Sequence, residues 1–98
     1  MLKEAILITV NGEEKKVFPT NKKKFVLKEL QDFVGGTIDV IRFPDGRHMI
    51  VNDEGTIMDP PLDVNEKASE IFRQQFPIEK YPHNNDGTVV GDVLISCP

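Results

Sequence analysis

The sequence predicts an α+β fold: a single domain over residues 1–98, with a mainly antiparallel sheet and two helices packed on it. Three observations carry that expectation. Short β-branched runs are punctuated by Asn11-Gly12 and Asp45-Gly46, the mark of successive hairpins. Two other stretches, one ending at Gly35-Gly36 and one at Pro77, space their apolar residues as helices do. A chain of this length buries roughly 65% of its unfolded surface, enough for one modest core and too little for two.

Residues 5–10 are apolar and β-branched and run into Asn11-Gly12, so a hairpin is expected, with residues 15–18 as its return arm and Pro19 closing it. Asn21 predicts the cap of a helix over residues 22–34, because its side chain can accept an early backbone N–H. Val26, Leu30, Phe33 and Val34 form one apolar stripe on that helix, widened by Leu27. Gly35-Gly36 ends it, since glycine enters the left-handed region without steric cost. Lys22, Lys23 and Lys24 would then oppose the helix dipole, at roughly a few tenths of a kcal/mol apiece.

Residues 37–43 and 47–52 predict a second hairpin through Pro44-Asp45-Gly46, with Gly46 taking the positive φ. Alternation sets Ile38 and Val40 on one face and Asp39 and Ile41 on the other. After the turn Asn52-Asp53-Glu54-Gly55, residues 56–58 extend the sheet briefly and Asp59-Pro60-Pro61-Leu62 is a stiff extended connector. Asp63 or Asn65 caps a second helix to about Gln75, with Ala68, Ile71, Phe72 and Phe76 as its apolar side. Residues 77–87 read as a surface loop, and residues 88–96 as a closing strand in which Gly91 marks a bulge or a close approach.

Composition narrows the function. A net charge of −4 argues against binding to a nucleic-acid backbone. No apolar run approaches the roughly 20 residues that span a bilayer, so no membrane partner is expected. The single cysteine, Cys97, excludes an internal disulfide, and a reducing, cytoplasmic setting follows. Placing Gly46, Gly55 or Gly87 at the sixth position of a calcium loop puts Ile41, Ile50 or Pro82 where the first carboxylate ligand belongs. Cys97, His48 and His83 have no zinc spacing, so neither metal nor cofactor is expected. Ser69 falls in a helix and Ser96 at a strand end, and His48 alternates with Ile50 along a strand. Nothing joins nucleophile, base and orienting group, so no catalytic residue is assigned and no enzyme is expected.

Two binding sites remain. Thr20-Asn21-Lys22-Lys23-Lys24 would place positive charge and free donors at a helix N-terminus, suited to an anion; its bland reading is a solvated basic edge. Asn52, Glu54, Asn65, Gly91 and Asp92 lie at ends of elements that could converge on a small polar pocket, where amides would bind a base or a ribose. The bland reading makes Asn52 and Glu54 turn formers, Asn65 a helix cap and Gly91 a bulge.

Val34-Gly35-Gly36-Thr37-Ile38-Asp39-Val40, Val51-Asn52-Asp53-Glu54-Gly55, Asn65 with Ala68, and Val90-Gly91-Asp92-Val93 resemble a small domain-of-unknown-function family found in phage, plasmid and bacterial proteins. The resemblance covers about residues 27–95. It implies a mobile-element setting, in the host cytoplasm if phage-encoded, and transfers no catalytic residue. The resulting expectation is a non-enzymatic binding protein that forms a homo-oligomer and sequesters a small anionic ligand, such as a nucleotide, to counter host defence. Lys22, Lys23 and Lys24 would take the anion, with Asn52, Glu54, Asn65 and Gly91 beside it. The alternative is an inhibitor that binds a host protein, an enzyme, through an edge strand or the 77–87 loop.

Overall fold

A computed structural model describes residues 4–21, 23–55, 60–76 and 88–96. Five strands, β1 (Ala5–Ile8), β2 (Glu14–Val17), β3 (Ile38–Arg42), β4 (His48–Asn52) and β5 (Val93–Ser96), and two helices, α1 (Leu27–Val34) and α2 (Glu66–Gln75), make up the described fold. The strands form one antiparallel sheet in the order β2-β1-β5-β4-β3.

Both hairpins close by the same device. Thr9 donates to the Glu13 carbonyl at 3.0 Å and Gly12 to the Thr9 carbonyl at 2.9 Å, leaving a three-residue loop with Gly12 at φ 87°. Phe43, Arg47 and Gly46 repeat that pattern at 2.8 and 3.0 Å, with Gly46 at φ 97°. Each is a turn followed by a left-handed glycine, which matches strand twist without straining a side chain. Asn11-Gly12 thus closes a three-residue loop, residues 10–12, rather than a two-residue turn, and β1 stops at Ile8 because Thr9 closes that loop.

The sheet is the middle layer. On one face Ile8, Met49, Val93 and Ile95 pack with Ala68 and Phe72 of α2; on the other Ala5, Ile50 and Leu94 pack with Phe25, Leu30 and Val34. Strand alternation sends neighbouring residues to opposite faces, so a strand covered on both sides is apolar throughout. This is why all of β5 is buried. A ring cluster of Phe43, Phe72 and Phe76 closes the α2 face, with centroids 5.8 and 5.1 Å apart. The Lys67–Glu14 ion pair ties α2 to β2 on that side.

α1 begins at Leu27, five residues later than expected. Asn21 caps a local turn instead: its Oδ1 accepts from the N–H groups of Lys23 and Lys24 at 2.8 and 3.1 Å. Phe25 then turns into the core and Val26 is extended, at φ −91° and ψ 159°. Lys23 and Lys24 therefore lie outside the helix and do not oppose its dipole; Lys22 is outside the described residues. The helix start is held by Glu29, whose carboxylate accepts from Thr20 N–H at 3.0 Å and from Val26 N–H at 3.1 Å.

Those two N–H donors, Thr20 first, hold the Glu29 carboxyl below its ordinary value of 4.5. A depressed native pKa stabilises the fold above the unfolded value, and that contribution disappears as pH falls through the native one. Glu29→Gln is expected to lower the urea midpoint at neutral pH, and the gap to wild type should close below pH 4.5. A gap unchanged between pH 7 and pH 3 would remove this role for the carboxylate.

α2 follows the expectation closely. Asn65 is its N-cap, and Ala68, Ile71, Phe72 and Phe76 face the core. The expected closing strand is shorter, beginning at Val93, because Gly91 adopts φ 77° and breaks the ladder; Val90 makes only an isolated bridge to Val64. Residues 56–59 and 77–87, with their expected strand extension and loop, lie outside the described residues.

Candidate functional site

Antiparallel pairing brings the C-terminal ends of β1 and β4 and the N-terminal ends of β3 and β5 to one end of the sheet. Asn65 and Gly91 meet there, and Asn52 lies at the same end. Asn65 has no exposed surface. Its Nδ2 donates to the carbonyls of Ile8 and Gly91, both at 2.9 Å, while Oδ1 accepts Ala68 N–H at 3.0 Å. One amide therefore joins β1, the approach to β5 and the start of α2. Asn52 does the same for α1: Nδ2 donates to the Val34 carbonyl at 3.1 Å and Oδ1 accepts Glu54 N–H at 2.8 Å.

The glycines are packed just as closely. A Cβ on Gly36 would lie 2.9 Å from Asn52 Nδ2. One on Gly55 would lie 2.7 Å from Val90, and one on Gly91 2.7 Å from Leu62. The space between the strand ends is thus filled by Leu62, and both amides serve the chain's own backbone. Glu54 is exposed, and its Oε1 accepts only a long 3.4 Å bond from Thr37.

Beside this knot lies a depression of about 350 Å³, lined by Asp32, Asp63 and Asp92 together with Gly91, Leu62 and the last turn of α1. Asp32 pairs with Lys28 at 3.2 Å, and Asp92 accepts Val10 N–H at 3.0 Å. A helix C-terminus and three carboxylates make the local field negative. An anion is disfavoured there.

The α1 face of the outer strands carries different chemistry. A groove of about 340 Å³ runs between α1 and the outer strands, walled by Phe25, Leu27 and Leu30 and floored by Ile38, Val40 and Ile50. Arg42 and His48, paired across β3 and β4, stand at its end. Arg42 forms no ion pair among the described residues. His48 Nδ1 lies 3.4 Å from the hydroxyl of Ser96, which is 1% exposed. Phe25 is braced edge-on by Phe33, centroids 6.1 Å apart. The basic turn holding Lys23 and Lys24 leads directly into this wall at Phe25.

From the sequence alone Arg42 draws no assignment, and His48 reads only as a strand histidine with neither a zinc spacing nor a catalytic partner. The signal was present: alternation from Ile38 and Val40 sends Arg42 to the same face, and a three-residue loop ending at Gly46 sets His48 opposite Arg42.

A five-stranded antiparallel sheet with one helix on each face, a polar knot at one end and, on the α1 face, an apolar groove ending in two basic side chains, defines a small three-layer α+β domain. The chain belongs to the domain of unknown function family DUF3846, whose family model matches residues 3–97. No curated protein and no solved structure matches it. Among the described residues, no helix is long and apolar enough to cross a membrane, and no cluster of His, Cys, Asp or Glu could hold a metal ion.

Proposed function

We propose that this chain is a non-enzymatic binding domain that captures a small ligand with a planar or apolar body and an anionic group, a nucleotide being the simplest case. The observation that carries this reading is the groove itself: an apolar floor and wall ending at an imidazole and at a guanidinium that forms no ion pair among the described residues. Pockets of this kind bind the body of a ligand by burial and fix its polar end with a few donors. Arg42 can meet a phosphate with two parallel N–H donors. The hydroxyl nearest His48 belongs to Ser96 and is buried, which supports capture over nucleophilic attack. In a phage or mobile element, such capture would withdraw a host signalling nucleotide from a defence system, a task that requires affinity alone.

Thermal melting against a panel of mononucleotides and cyclic dinucleotides tests this. A ligand at 100 times its dissociation constant adds about 2.7 kcal/mol, an upward shift of roughly 10–20 °C for a domain of this size. Arg42→Ala should abolish most of the shift. A flat response across the panel would overturn the reading. The exposed apolar edge of β3 favours a second one, docking of a host protein's strand on that edge.

A further inference from the structure

We infer that two copies of this chain pair through β3, antiparallel about a two-fold axis at Val40, to make a continuous ten-stranded sheet.

The two sheet edges differ in kind. β2 presents Glu14, Lys15 and Lys16, charges of the sort that deter edge-to-edge pairing. β3 presents Ile38, Val40 and Ile41 with one charge on either side of Val40, and Val40 is 45% exposed beside Leu27 at 58%. The backbone is set for pairing. Phe43 donates to the Arg47 carbonyl at 2.8 Å and Asp53 to the Thr37 carbonyl at 2.9 Å, so odd-numbered residues face β4. By alternation the N–H and C=O groups of Ile38, Val40 and Arg42 point away from the sheet.

Those outward groups restrict the register, and charge chooses within it. A two-fold axis at Asp39 would oppose two carboxylates at roughly 5 Å, which is unfavourable. An axis at Ile41 would set Ile38 opposite Pro44, which has no N–H to donate. An axis at Val40 sets valine against valine, Ile38 against the aliphatic stem of Arg42, and Asp39 against Ile41, with no like charges opposed. The axis is normal to the sheet, so both α1 helices lie on one side. The two grooves then open onto each other as a single trough, with an Arg42 and a His48 from each copy.

Sedimentation of the ligand-free protein tests the pairing independently of what the groove binds. The wild-type chain should run at twice its 11.1 kDa, and Val40→Lys and Val40→Glu should each run as single chains. An equimolar mixture of the two variants should regain the doubled mass, because opposite charges now meet at the axis. That recovery also shows that both variants are folded. A wild-type chain of single mass up to millimolar concentration would overturn the inference and leave the β3 edge to another protein's strand. So would a doubled mass that survives Val40→Lys.

Discussion

Replacing Asn65 by alanine should destabilise the fold by about 3–7 kcal/mol, a large share of the roughly 5–15 kcal/mol a domain possesses. The sum has two parts. Loss of the cap to Ala68 N–H costs about 1 kcal/mol. The Ile8 and Gly91 carbonyls then lose their donor in a buried site, at about 1–3 kcal/mol each. Asn65→Asp separates these parts, because it retains the capping oxygen and turns a second oxygen toward the two carbonyls. A carboxyl so placed has a raised native pKa, so its stability is highest in acid and falls as pH rises through that value. Urea titration should therefore show the aspartate variant no better than alanine at neutral pH and better than alanine in acid. If aspartate equals wild type at neutral pH, the cap alone matters and the bridging role of Nδ2 is wrong.

Gly91→Ala is the second large effect, expected at about 2–3 kcal/mol. A left-handed residue with a Cβ carries about 1–2 kcal/mol of strain. The new methyl also falls 2.7 Å from Leu62 Cδ1, so that side chain must shift within a packed site, adding about 1 kcal/mol. Leu62→Ala should recover the second part and not the first, so the double variant should be less unstable than the sum of its single changes. Denaturation of all four proteins measures this coupling. A Gly91→Ala chain within about 0.5 kcal/mol of wild type would show that neither constraint holds.

These residues also mark what the sequence could and could not say. The hairpins were legible because Gly12 and Gly46 decide their turns locally, and α2 was legible because Asn65 caps it and Phe72 and Phe76 follow at helical spacing. The start of α1 was not. An asparagine side chain binds a free N–H equally well in a short turn or a helix, and Asn21 serves a turn, since Phe25 must leave the surface before the helix can begin. For Asn52 and Asn65 the residue type announced a polar role, yet the direction of each amide depends on carbonyls many positions away, such as Val34 and Ile8. The groove was harder still. Arg42 and His48 come together only through strand register, and Phe25 reaches them only because α1 lies across that face.

The place of β5 has a consequence for how the chain matures. It lies between β1 and β4, so the two hairpins share no ladder without it. An isolated hairpin is at best marginal in water. Each hairpin keeps one flank unmatched until residues 93–96 slot between them as the keystone. Joining the hairpins into one sheet therefore depends on non-local pairing, whose loop-closure cost has to be met before its contacts form.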